Sequence, residues 1–185
     1  MLTSWLAALL LCDMAVPAGA AAIEDRFVLG SSDIESNGRI GDTFVFNSFG
    51  CSGGNISPAL RWSGAPRGTK SFVLTVYDPD APTGSGFWHW VMYNIPANVT
   101  RLPQGAGTPG REPAGAVQGN SDYGAPGYGG PCPPAGLGSH RYVFTIYAVK
   151  AEKLEVPPNP TAAVVGFATH FVTIGKATLV ATYGR

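Results

Sequence analysis

This chain has little charge, few histidines and almost no cysteine. Only 13% of its 185 residues are charged, with 12 Lys plus Arg against 12 Asp plus Glu. Such a balance excludes a whole-surface field that would gather nucleic acid or anionic membrane. A metal site built from Asp78, His89 and His140 is possible by residue type, but the sequence lacks the tight ligand spacings that signal zinc. The N-terminal apolar run, Trp5 to Leu11, falls well short of the roughly 20 residues a spanning helix needs. Asp13 and Pro17 interrupt it further. What abounds is glycine and proline, 25 and 16 residues, which points to many turns and stiff loops.

The run to Leu11, the Pro17 break and the small residues Ala18-Gly19-Ala20 read as a secretory signal peptide over residues 1–20, although its first residues lack Lys and Arg. Residues 21–185 are then expected to form one domain, large enough to bury a core without metal. Removing Asp13 leaves 12 cations against 11 anions, a net charge of +1. Cleavage also removes Cys12 and leaves Cys51 and Cys132, an even number in an oxidising compartment, periplasmic or extracellular. Their pairing as a disulfide is expected.

Segments dense in β-branched and aromatic residues predict strands over Phe27 to Leu29, Thr43 to Phe46, Ser71 to Tyr77, Trp88 to Ile95, Arg141 to Val149 and Ala177 to Tyr183. The Ser71, Trp88 and Arg141 runs are apolar on both alternating faces, as central strands covered on each side should be. One helix is expected, opening at Pro160 and closing at Gly175. Residues 101–139 hold 11 Gly and 7 Pro among 39, too broken for regular structure and long enough to suggest a functional loop.

Two motif matches do not survive their context. Gly50-Cys51-Ser52-Gly53-Gly54 fits the G-x-S-x-G of a serine hydrolase, but Asn55-Ile56-Ser57-Pro58 follows where the helix should begin. Gly105 to Gly110 fits G-x-G-x-x-G, but Pro103, Pro109 and Pro113 forbid the helix a dinucleotide site requires. Asn98-Val99-Thr100 is a glycosylation sequon, meaningful only in a eukaryote.

The stretch Asp78-Pro-Asp-Ala-Pro-Thr-Gly-Ser-Gly-Phe-Trp-His-Trp-Val91 concentrates ionisable and aromatic groups. Alternation puts Phe72, Leu74, Val76 and Asp78 on one strand face, and a carboxylate at the end of an apolar strand needs a partner or a ligand. It also predicts that His89, Val91 and Tyr93 oppose Trp88, Trp90 and Met92. A stiff loop, Gly129-Gly130-Pro131-Cys132-Pro133-Pro134, runs on to His140-Arg141-Tyr142. An aspartate, a histidine, Tyr142 and glycine amides, walled by Trp88, Pro82 and Pro134, would form a small polar pocket with apolar sides.

DPDAP followed by WHWV, then GPCPPAGLGSHRYVFTIYAV, with NISPALRWSGAP upstream, resembles the phosphatidylethanolamine-binding proteins (PEBP), especially their bacterial Raf-kinase-inhibitor-like branch. The resemblance spans about Phe27 to Tyr183. It implies a mainly β fold in which a large central antiparallel sheet packs with a smaller sheet and a few peripheral helices. It also implies a shallow pocket for phosphate-like or carboxylate groups, including the phosphoethanolamine headgroup. Carried over by motif, that pocket uses Asp78, Pro82, Trp88, His89, Gly130, His140 and Tyr142, with Asp80 as support and a cis Ala81-Pro82 bond. Eukaryotic members carry a C-terminal helix after the last strand, whereas this sequence stops at Arg185, so a more open pocket and a headgroup-sized anion are expected.

The leading expectation is an exported binding module without cofactor or metal. Protonated His89, the Gly130 amide and Tyr142 would donate to anionic oxygens, and Asp78 would orient His89. One alternative is a kinase or protease inhibitor acting through the pocket rim and the 101–139 loop. Another is a hydrolase using an Asp78/His89 acid-base pair, against which stands the lack of a placed nucleophile. A homodimer is compatible with this branch of the family.

Overall fold

The structure is a computed structural model and describes residues 26–185. The expected signal peptide lies outside the described residues. Ten elements follow one another: β1 (Val28–Gly30), a 3-10 turn (Asp42–Phe44), β2 (Leu60–Ser63), β3 (Ser71–Asp78), β4 (Phe87–Pro96), β5 (Arg101–Leu102), β6 (Val117–Gln118), β7 (Ser139–Val149), α1 (Ala162–Val172) and β8 (Thr173–Gly184). They make an antiparallel five-stranded sheet ordered β6-β4-β3-β7-β8 and a three-stranded sheet ordered β1-β2-β5. The mainly β architecture of a large and a small sheet is therefore as the sequence led us to expect.

Both faces of the large sheet are covered, which explains why its strands read as continuous apolar runs. On one face Phe72, Leu74 and Val76 of β3 meet Trp90 and Met92 of β4, Phe144 and Ile146 of β7, and Leu60 and Trp62 of the small sheet. On the other, Val73, Val91 and Tyr93 pack against Leu154 and against Ala162 and Val165 of α1. Thr161 caps α1, its Oγ1 accepting from Val164 N at 3.3 Å.

Three local expectations change. Thr43 to Phe46 is no strand: Phe44 N bonds Gly41 O and Val45 N bonds Asp42 O, closing a 3-10 turn. Its outer carbonyls are taken by the Gly53-Gly54-Asn55 loop (Gly54 N to Asp42 O, 3.0 Å; Asn55 N to Val45 O, 2.8 Å), where a Cβ on Gly53 or Gly54 would strike that backbone. The helix ends at Val172 rather than Gly175, because Thr173 turns extended and opens the twelve-residue β8. Residues 101–139 carry two short strands, β5 and β6, and β2 had no forecast at all.

β4 breaks its own alternation. Trp90 pairs with Val76 and Trp88 with Tyr77, so His89 is an extra residue in a β-bulge. A second irregularity, between the Phe72 and Leu74 pairings, includes Asn94 at φ 57°, whose Oδ1 accepts from Leu154 N at 2.8 Å. Because of the first bulge, Trp88 joins Val91 and Tyr93 on the α1 face, while His89 turns to the face shared by Tyr142.

Candidate functional site

Three strand ends converge at one edge of the large sheet. β3 finishes at Asp78, β4 begins with Phe87 and the bulged His89, and β7 begins with His140 and Tyr142. Their side chains floor a cavity of about 610 Å³, roofed by the loops carrying Phe49, Pro82, Tyr123, Pro133 and Pro134 and by Arg185. The floor is deep: Asp78, His89, His140 and Tyr142 are at most 3% exposed.

Buried polar groups must find partners, and the partners here dictate which atoms remain for a ligand. Asp78 Oδ1 accepts from Asp80 N at 2.8 Å and its Oδ2 from His140 Nδ1 at 2.7 Å. His89 Nδ1 lies 2.8 Å from Gly129 O, and since a carbonyl only accepts, that nitrogen carries the proton. Both rings therefore spend Nδ1 on the protein and keep Nε2. Burial holds the His89 pKa below that of a free imidazole, with the hydrogen bond to Gly129 and the Asp78 charge opposing it. A neutral His89 offers its Nε2 as an acceptor, and a protonated one as a donor.

Tyr142 has a buried hydroxyl with no hydrogen-bond partner. Burial first, then the Asp78 charge, raises its pKa, so it stays a phenol with a proton to donate. Its ring meets the His89 ring edge to face at 5.0 Å. Phe87 (5.0 Å) and Tyr123 (5.6 Å) close on the same imidazole, and Tyr123 stacks on Phe46 at 3.9 Å while its hydroxyl donates to Gly130 O. The result is a polar floor beneath an aromatic and prolyl wall.

The roof is tied in two ways. Cys51 and Cys132 form the expected disulfide, joining loops 81 residues apart. Arg185 bridges the same loops, with Nε donating to Pro133 O and NH1 to Gly50 O, both at 2.7 Å. It forms no ion pair among the described residues, so its charge stands at the cavity wall.

Of the sequence-predicted site residues, Asp78, Pro82, His89, His140 and Tyr142 line this cavity. Asp78, however, orients His140 and not His89. Asp80 stays outside as a support: its carboxylate takes Arg141 N (2.9 Å) and Nε (2.8 Å), and this pairing draws its pKa down to about 2. Trp88 lies on the opposite face of the sheet, displaced by the bulge, and Phe87 stands where it was expected. Gly130 does not offer its amide, which donates to Asn55 Oδ1 at 2.8 Å. A Cβ there would collide with the Phe44 carbonyl, so close packing is what the glycine serves. The Ala81-Pro82 peptide is trans, contrary to expectation: Asp80, anchored on Arg141, and Thr83 N, bonded to Ala81 O at 2.8 Å, shape the turn without a cis bond.

Sequence reasoning missed Phe49, Phe87, Asp122, Tyr123 and Arg185. Asp122 is fixed to the bulged strand, its N bonding Trp88 O and its Oδ2 accepting from Trp88 N, both at 2.8 Å. The one signal that could have found it is an acid beside an aromatic, Asp122-Tyr123, in a glycine-rich loop.

Known proteins place the chain. The family model described as "Phosphatidylethanolamine-binding protein" matches residues 30–184. The chain is 49% identical over 159 residues to the UPF0098 protein YbcL of Escherichia coli K12, covering 85% of this chain and 87% of YbcL. It is 46% identical to YbhB of the same organism, covering 83% and 97%. The crystal structure of YbcL, described as a new member of the mammalian PEBP family, matches with a TM-score of 0.84 at 48% identity over 86% of this chain and 98% of that one. A homologue from Chlamydia trachomatis matches with a TM-score of 0.72 at 33% identity, over 86% and 97%. With its two-sheet fold and its match to the family model over nearly all described residues, this chain belongs to the phosphatidylethanolamine-binding protein family.

Proposed function

We propose that this chain is an exported binding module holding a small phosphate- or carboxylate-bearing ligand at the Asp78/His89/His140/Tyr142 floor. The observation that carries the reading is the Tyr142 hydroxyl, buried and without a partner at the cavity floor. An unmet buried donor costs about 1–3 kcal/mol, a cost that a ligand oxygen removes. Arg185 supplies a permanent positive charge nearby, and the two Nε2 atoms complete a set of groups suited to an oxyanion.

The depressed pKa of His89 adds a proton to the binding event. A fully ionised anion is held best by protonated His89, so binding draws a proton into the site. Affinity then rises as pH falls, by up to about tenfold per pH unit for one linked proton. A singly protonated phosphate can instead donate its own proton to neutral Nε2.

Binding without turnover fits a lining whose cysteine is committed to a disulfide and whose two aspartates are engaged by the protein, Asp78 by His140 and Asp122 by the Trp88 amide. The disulfide also supports export to an oxidising compartment. Modulation of a partner protein through the rim, where Phe49 is 73% exposed, is a second use of the same pocket mouth.

Isothermal titration of residues 21–185 with phosphate, phosphoethanolamine and acetate, at about pH 5.5 and 7.5 on either side of the ordinary histidine pKa, tests the reading. Saturable binding that tightens at the lower pH and is lost in His89→Ala supports it. Absence of binding at both pH values defeats it.

A further inference from the structure

The bulge that delivers His89 to one face of the sheet delivers Trp88 to the other, where a second cavity lies. This groove, about 540 Å³, runs between α1 and the large sheet and is lined by Thr75, Trp88, Tyr147, Thr169, Ile174 and Lys176, among others. Trp88 is half-buried and held against Tyr77 at 4.5 Å, with its backbone clamped to Asp122. It forms a rigid, flat wall rather than a mobile surface side chain.

The donors of the groove divide into two sets. Thr169 and Thr173 spend their hydroxyl protons on the Val165 and Thr169 carbonyls. Elsewhere in the protein Trp90 Nε1 is matched to Gln118 Oε1 at 2.9 Å. By contrast, Trp88 Nε1, the Thr75 hydroxyl and the Tyr147 hydroxyl make no hydrogen bond to another described residue. Lys176, directly across from Tyr147 in the β7/β8 register, makes no ion pair among the described residues. None of the lining residues is acidic, and Lys176 and His170 are both basic. A site with a flat aromatic wall, several unspent donors, an ammonium group and no carboxylate is complementary to an anion borne on a ring.

We propose that this groove is a second ligand site, which takes a small carboxylate carried on a ring that offers the indole either a planar aromatic face or a C–H-lined sugar face. The ring stacks on Trp88 and the carboxylate is held by Lys176, with the Thr75 and Tyr147 hydroxyls as further donors. The site is separate from the pocket at the strand ends, since the sheet stands between them. Two kinds of molecule share this chemistry, aromatic acids and ring-form sugar acids.

The test is titration of residues 21–185 with benzoate and, separately, glucuronate, reading the Trp88 indole N–H by NMR, with the signal assigned through Trp88→Phe. A saturable shift with one of these probes below roughly 10 mM, weakened at least tenfold by Lys176→Gln and unchanged in saturating phosphate, is the expected result. The probe that binds identifies the source of the ring. No shift with either probe, a shift indifferent to Lys176→Gln, or a shift abolished by phosphate would each overturn the proposal. Lys176 is exposed, so its replacement leaves the fold intact, which the unchanged remainder of the spectrum verifies.

Discussion

Single atoms decide what this pocket can hold. Tyr142→Phe removes a hydroxyl that has no partner in the free protein, so the variant should gain about 1–3 kcal/mol of stability over the parent, while phosphate affinity falls. Urea unfolding and calorimetric titration on the same sample check both halves, and a clear loss of stability would show that the hydroxyl is satisfied. Asp78 gives the opposite case. Both of its oxygens are engaged in the interior, and Asp78→Ala strands His140 and the Asp80 amide, which should cost about 3–5 kcal/mol. Equilibrium unfolding measures it.

At the scale of elements, irregularities in regular structure do the positioning. An unbroken β4 would put either His89 or Trp90 on the wrong face; the bulge lets both meet the Tyr142 side of the sheet while Trp88 leaves it. Gly130 illustrates how a loop is held beneath such a strand. Gly130→Ala should lower stability by about 1–3 kcal/mol, the range for overpacking, since the Phe44 to Phe46 backbone stands where the methyl must go. Thermal unfolding with and without phosphate separates that effect from any on binding. Thr161→Ala, far from the pocket, should cost about 1 kcal/mol through loss of the α1 cap and leave phosphate affinity unchanged.

The whole molecule couples its roof to redox and its floor to pH. Serine replacement of both Cys51 and Cys132 should cost roughly 4 kcal/mol on the chain-entropy account for loops 81 residues apart, and should loosen the wall formed by Phe49 and Pro133. Unfolding in the presence and absence of reductant checks it. For pH, the folded-state pKa of His89 lies below its unfolded value of about 6.5, so the unfolded chain takes up the proton first as pH falls. The His89 contribution to stability is therefore fully present above about pH 6.5 and declines below it. Melting temperatures at pH 7.5 and 5 should diverge less in His89→Gln than in the parent. Phosphate should offset the acid loss, because it favours the protonated ring.

Local chemistry settled a good part of this protein in advance. Dense β-branched and aromatic runs announced β3, β4, β7 and most of β8, since strands covered on both faces admit little else. The pair of cysteines outside the expected signal peptide foretold the disulfide, and the motifs around Asp78, His89, His140 and Tyr142 identified the family and four of the floor residues. Register and hydrogen-bond partnership were decided only in three dimensions. One inserted residue reverses a strand's faces without leaving a mark on composition, which is why Trp88 and Phe87 exchanged places. Whether Asp78 pairs with His89 or His140, and whether the Gly130 amide is free, depends on which strand end arrives beside it. Arg185 reaches the cavity because β8 runs antiparallel to β7 back to the same sheet edge. These are contacts between residues distant in the chain, and their energies exist only once the sheet has assembled.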